Sequence, residues 1–284
     1  LAQLLFGSLP VIGKVVLAVI PPIGLVGIRT AITCLILICI QAFRGRFWLK
    51  ERGDYWRFAG LSLFGVVINQ LFFIGGLSLT TASNTSLLAV MIPVFALAVG
   101  SLAGLERLTT IKIVGIVLAA VGVVILIDPR KASFSSQTTI GDLFIVINSL
   151  AYGIYVATSK AAIMRNGVFR SMMWVFIFAS IICIPLGAWS LSTIDISAVE
   201  LRIWLIVLWI GIGATAAPYL LNALALSKVD PSTVAVFVYL QPLIGFILAV
   251  IFLGESIDSK FIVAAALIFA GVFFVTRRFI PSET

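Results

Sequence analysis

Ten runs of predominantly apolar residues, each close to 20 long, follow one another along this chain and constrain it more than any motif. They cover about 2–20, 23–43, 57–78, 84–104, 109–127, 140–163, 171–191, 203–226, 232–253 and 259–279. A helix needs roughly 20 such residues to cross about 30 Å of hydrocarbon, so the pattern predicts ten transmembrane helices. Short polar breaks separate the runs, among them Arg44-Gly45-Arg46, Glu106-Arg107, Asp128-Pro129-Arg130-Lys131, Arg165-Asn166-Gly167, Asp230-Pro231 and Glu255-Ser256. Hydrophobic residues make up 62% of the chain and charged ones 11%, far from the balance of a soluble domain. That excludes a soluble enzyme or a disordered regulator. With no His, the commonest general base and metal ligand are missing. Cys34, Cys39 and Cys183 sit inside apolar runs, in neither a disulfide framework nor a metal-binding spacing. No metal, cofactor or enzymatic activity is expected. The chain opens at Leu1, already apolar and without the flank of a signal peptide, so further residues are expected upstream.

The basic residues give an orientation. With the N-terminus in the cytoplasm, twelve fall on the inner side: Arg44, Arg46, Lys50, Arg52, Arg57, Arg107, Lys112, Arg165, Arg170, Lys228, Arg277 and Arg278. Four fall outside (Arg130, Lys131, Arg202 and Lys260), and Lys14, Arg29 and Lys160 lie within runs. This is the positive-inside bias. The net charge of +8 therefore reflects topology, and nucleic acid drops out as a partner. A multi-pass protein of a bacterial inner membrane, both termini cytoplasmic, is expected, as a monomer or weak homodimer in the lipid bilayer.

The chain also matches itself. At an offset of 149, Leu77-Ser78 falls on Leu226-Ser227, Ser83 on Ser232, Pro93 on Pro242, Glu106 on Glu255 and Gly122 on Gly271. At an offset of 146, Gly7 falls on Gly153 and Lys14 on Lys160. Two five-helix repeats result, 1–128 and 140–280, joined through 129–139. Because five is odd, the second repeat is inverted. Two copies in opposite orientation give two nearly equivalent conformations around a midplane site, which is transporter architecture.

Several of these segments resemble a family. Phe6-Gly7-Ser8 with Lys14, Asn69-Gln70-Leu71-Phe72-Phe73, Thr81-Ala82-Ser83-Asn84 with Pro93, Leu105-Glu106-Arg107, Tyr239-Leu240-Gln241-Pro242 and Leu253-Gly254-Glu255 together resemble the drug/metabolite transporter superfamily, EamA-type branch. The resemblance spans essentially the whole chain. It implies ten helices in two inverted repeats, with a central cavity lined mainly by helices one, three, four, six, eight and nine. It further implies a small-molecule substrate. YddG-like bacterial members export amino acids and related metabolites, and other branches carry sugar phosphates or nucleotide sugars.

Polar side chains within spans either bond to a neighbouring helix or face a wet cavity. Helical spacing puts Asn148, Tyr152, Tyr155 and Ser159 on one face, and Thr215, Tyr219 and Asn222 on another. Ser232 and Tyr239 share a third face with Gln241 just off it; Asn69 and Gln70 are adjacent, and Asn84 and Met91 share a face. The candidate substrate-binding residues are Asn69, Gln70, Asn84, Met91, Asn148, Tyr152, Tyr155, Tyr219, Asn222, Tyr239 and Gln241. Each lone amide can equally serve as a bond between two helices. Pro93, Pro218 and Pro242 free backbone carbonyls at mid-span and are candidate hinges. Lys14 and Lys160 either snorkel to the headgroups or serve as counter-charges to a substrate; Arg29, too deep to snorkel easily, either ties helix two to a neighbour or does the same. Every Asp and Glu is expected in a loop or at a span end, which leaves no obvious proton relay. The lining suits a neutral or zwitterionic metabolite exported by alternating access, facilitatively or in exchange. The alternatives are an anionic metabolite such as a sugar phosphate and, more distantly, an intramembrane enzyme or sensor.

Overall fold

The structure, a computed structural model, describes residues 1–81, 84, 85, 88–127, 136–244, 247 and 259–276. Its described residues form ten helices: α1 Ala2–Leu17, α2 Pro22–Arg44, α3 Arg52–Leu79, α4 Met91–Leu102, α5 Thr110–Ile127, α6 Ser136–Asn166, α7 Val168–Leu191, α8 Leu201–Leu226, α9 Pro231–Ile244 and α10 Ser259–Thr276. The fold is an all-α integral membrane bundle of two inverted five-helix repeats. Large apolar side chains stay exposed around it, Leu35, Ile181, Ile262 and Phe269 among them, as hydrocarbon rather than water requires. Exposed Trp48 and Trp56 flank the α2–α3 connection and Trp189 the far end of α7, at the depths where indole rings favour the interface.

Local chemistry fixes the helix ends. Pro22 and Pro231 occupy first turns, where the missing N–H costs nothing. Gly167 adopts φ 84°, which lets one residue reverse the chain between α6 and α7 without a Cβ penalty.

The ten expected crossings differ in length. Five helices, α2, α3, α6, α7 and α8, are long and apolar enough to cross a bilayer; α1, α4, α5, α9 and α10 are shorter apolar helices within the described residues. Two of these are interrupted for a visible reason. In α9 the helix tightens into a 3₁₀ turn at Phe237–Tyr239, and the chain turns at Ala89 and Val90 before α4. These sites match at offset 149, each just ahead of the matched Pro242 or Pro93, whose rings cannot continue the hydrogen-bond ladder. At its other end α6 begins at Ser136, inside the stretch expected to be a loop; the rest of that stretch, like Ser83, Glu255, Arg277 and Arg278, lies outside the described residues. As a result Asp142 is part of α6 rather than at a span end.

The repeat appears again inside α3 and α8. Each contains a wide π turn, Leu63–Ile68 in one and Ile212–Ala216 in the other, and the two start 149 residues apart. Such turns leave carbonyls without a helical partner. Repeat-equivalent helices pack against one another where glycines permit it. On α2 and α7, Gly27 and Gly187 are so close that a Cβ on Gly27 would lie 2.6 Å from the Gly187 Cα; on α5 and α10, one on Gly271 would lie 2.4 Å from the Gly115 oxygen. Small residues at the crossing let backbones approach, the usual means of helix association in lipid. A distinct apolar core, with Leu97, Val123, Val236, Leu243, Ile268 and Val272, joins α4, α5, α9 and α10.

Candidate functional site

A cavity lies among α1, α2, α3, α4, α6, α8 and α9, with Ala89 of the preceding turn in its wall. It is lined by Phe6, Leu9, Arg29, Asn69, Gln70, Phe73, Ala89, Ile92, Asn148, Tyr152, Tyr219, Val238 and Gln241. Its lining is itself duplicated. Gln70 and Tyr219, Ala89 and Val238, and Ile92 and Gln241 are pairs at offset 149, and Phe6 and Tyr152 a pair at offset 146. A space walled by matched positions sits on the axis that relates the repeats. It gives the centres of water-sized spheres ≈ 70 Å³, several times the roughly 10–15 Å³ a single water needs.

Hydrogen bonds hold the polar walls. The Tyr219 hydroxyl donates to the Gly65 carbonyl at 2.7 Å and lies 3.1 Å from Asn69 Oδ1. Gly65 belongs to the α3 π turn, so the phenol satisfies a carbonyl that the turn releases. Asn148 Nδ2 donates to the Asn69 carbonyl at 2.8 Å, and Asn222 Nδ2 to the Tyr152 oxygen at 2.6 Å. Gln241 Nε2 donates to Gln3 Oε1 at 2.7 Å, across a contact that Gly7 keeps close. Phe6 meets Tyr219 edge-on, ring centroids 5.6 Å apart.

The structure brings together Asn69, Gln70, Asn148, Tyr152, Tyr219 and Gln241 of the expected substrate residues, and Arg29 of the expected counter-charges. The others fall elsewhere. Tyr155 stacks on Tyr152 from behind, its ring over Gly65 and its hydroxyl 3.6 Å from Met172 Sδ. Asn222 stands behind Tyr152, and the Tyr239 hydroxyl is taken by the Val90 carbonyl at 3.0 Å. Met91 precedes the lining residue Ile92 but is not in the wall. Asn84 donates to Asp142, which also accepts from Thr80 Oγ1 at 2.6 Å; this cluster ties the segment between α3 and α4 to α6.

Lys14 and Lys160, a matched pair, take matched roles that are not in the cavity. The Lys14 ammonium donates to the Thr80 carbonyl at 2.8 Å beyond α3, and Lys160 lies 3.4 Å from Asp230 Oδ1 beyond α8. Each closes the loop that leads into the next broken helix. Of the candidate hinges, Pro218 lies two residues beyond the α8 π turn, where its missing N–H leaves the Ala214 carbonyl free for Arg29. Pro93 and Pro242 follow the matched breaks already described. Phe6, Leu9, Phe73, Ala89, Ile92 and Val238 are not among the candidate substrate-binding residues, because nothing in sequence distinguishes an apolar cavity wall from an apolar lipid face.

Opposite the Asp142 cluster, a second polar network closes the other face. Buried Glu106 accepts from the Ser232 amide at 3.2 Å, from the Ser232 hydroxyl and from the Lys112 ammonium. Lys112 also lies 3.5 Å from Asp230 Oδ2, which connects the network to Lys160. The turn after α4 in the first repeat is thus bonded to the start of α9 in the second.

The family model of the EamA-like transporters matches residues 1–128 and again 139–277. An uncharacterized transporter of Archaeoglobus fulgidus is 26% identical over 244 residues, covering 85% of this chain and 83% of that protein. The threonine/homoserine exporter RhtA of Salmonella typhimurium is 26% identical over 257 residues, covering 87% and 79%. One solved crystal structure superimposes with a TM-score of 0.76 at 21% identity, covering 97% of this chain and 93% of the other, a likeness of fold.

Proposed function

We propose that this chain, which belongs to the EamA-like transporter family, exports amino acids or related small neutral or zwitterionic metabolites by alternating access. It is a transporter and not an enzyme. The observation that supports the reading is the cavity on the repeat axis. Equivalent positions of two opposed repeats wall it, so the same site can face either side when one set of contacts breaks and its counterpart forms. The lining of amides, phenols and apolar side chains, with one cation, suits a solute that is polar at one end and apolar at the other. The relation to a protein named a threonine/homoserine exporter favours amino acids. We place the repeats at 1–128 and 140–280, joined through 129–139, in a bacterial inner membrane with cytoplasmic termini, as a monomer or weak homodimer. Pro93, Pro218 and Pro242 mark where the helices flex.

Transport of a dianionic sugar phosphate fits less well, since Lys14 and Lys160 are engaged at the membrane faces and Arg29 alone faces the cavity. With no Asp, Glu or His among the described residues of the cavity wall, transport is facilitative or exchanging. Counterflow of labelled threonine in proteoliposomes, with and without a pH gradient, tests both parts. Uptake without a gradient is expected. Uptake that vanishes without one refutes the coupling, and no uptake of any amino acid refutes the substrate class.

A further inference from the structure

Arg29 is a buried cation whose pairing is incomplete. It lies two turns into α2 and is 2% exposed. Its Nε donates to Thr215 Oγ1 at 2.9 Å and its Nη2 to the Ala214 carbonyl at 3.5 Å, both in the α8 π turn. Thr215 donates onward to the Ile210 carbonyl at 2.8 Å, which fixes the hydroxyl as an acceptor toward the guanidinium. The remaining nitrogen, Nη1, has no partner, and the side chain lines the cavity. No ion pair among the described residues includes Arg29. Gln70, also 2% exposed, lies in the same wall, its side-chain amide within reach of the Tyr219 phenol but with no well-aligned hydrogen bond at either polar atom.

A buried charge without a counter-ion is strongly unfavourable in a low-dielectric interior. A guanidinium held through Nε and Nη2 and open at Nη1 matches one kind of ligand best. A planar carboxylate can accept from Nη1 while a neighbouring amide takes its other oxygen. We infer that Arg29 is the carboxylate anchor of the transport site, assisted by Gln70, and that the substrate is a monocarboxylate carrying a single negative charge at that end. This rests on the reading of the cavity as the transport site and narrows its substrates to those with a free carboxylate.

The test compares L-threonine with L-threoninamide, which keeps the amine and side chain but lacks the carboxylate. Binding is read by thermal shift of the purified full chain and transport by counterflow in proteoliposomes. L-lactate, which keeps the carboxylate without the amine, and sodium chloride serve as further probes. Threonine is expected to bind at least 10-fold more tightly than its amide. Arg29→Gln is expected to weaken threonine binding roughly 10- to 100-fold, the loss of charge-assisted hydrogen bonds, with Arg29→Lys in between. The wild-type comparison decides the matter even if Arg29→Gln does not fold. Equal handling of threonine and threoninamide overturns the anchor and leaves the transport reading standing. Arg29-dependent binding of lactate but of no amino acid supports the anchor and overturns the amino-acid reading. Equal stabilisation by chloride alone, or no response to any carboxylate, overturns the anchor.

Discussion

Glu106→Gln is the substitution from which most can be read. The carboxylate is buried and accepts from the Ser232 amide and hydroxyl and from Lys112, joining the two repeats at one face. If the cavity is to open there, these bonds must break. Glutamine keeps the shape and one acceptor but removes the charge. Of the two Ser232 bonds, each about 1.5–3 kcal/mol, the one to the retained oxygen becomes a neutral bond of about 0.5–1.5 kcal/mol and the one that now faces the amide NH2 is lost. Lys112 retains Asp230 at 3.5 Å, a half-exposed partner worth little in addition. The closed face then loses about 2.5–4.5 kcal/mol, which favours its opening by about 60- to 1,600-fold. The assay is labelling by a membrane-impermeant thiol reagent of Ala157→Cys, in a background with Cys34, Cys39 and Cys183 replaced. Ala157 is buried on α6 beside Gly100, which itself packs against Glu106. Labelling from the Glu106 side is expected to accelerate within that range. If the rate is unchanged while thermal stability falls, the carboxylate braces the fold without gating it, and the reasoning is wrong.

Other outcomes follow from single contacts. Gly65→Ala sets a Cβ 2.4 Å from the Tyr155 ring and is expected to cost about 1–3 kcal/mol of stability, whereas Gly60→Ala, in the same helix with nothing within 4 Å, is expected to raise the melting temperature slightly. Tyr219→Phe deprives the Gly65 carbonyl of its 2.7 Å donor; about 1–3 kcal/mol of stability is expected to go, with a fall in transport rate measurable in proteoliposomes. Lys14→Met and Lys160→Met each remove a tether at a membrane face and are expected to leave the KM for threonine within about twofold, at a cost of about 1 kcal/mol or less. A KM that rises steeply in either variant would make these lysines counter-charges.

The crossings were legible because lipid demands a long unbroken apolar run, a signal that hardly depends on context. The repeat was legible because Pro93 and Glu106 recur as Pro242 and Glu255, polar or rigid residues that chance seldom aligns in so apolar a chain. Which way a side chain points was less so. Tyr155 shares a helix face with Tyr152, yet Gly65 opens a slot for its ring on α3, and it leaves the cavity. A sequence face has no knowledge of the glycine opposite. Asn84 is a substrate candidate by sequence because it shares a face with Met91, but α6 starts earlier than its apolar run and Asp142 within it takes the amide. Arg29 was given two alternatives, tie or counter-charge, and the structure uses part of the guanidinium for the first. The π turns were invisible, since they add a residue without any change in composition.

Alternating access requires one cavity that both faces of the membrane reach in turn. Ala89 is small and lines that cavity, as does its repeat partner Val238. In proteoliposomes of known orientation, a lone cysteine at position 89 is predicted to react with impermeant reagent added to either side, with threonine slowing both reactions. Reaction from one side only, under every condition of substrate and gradient, would contradict it.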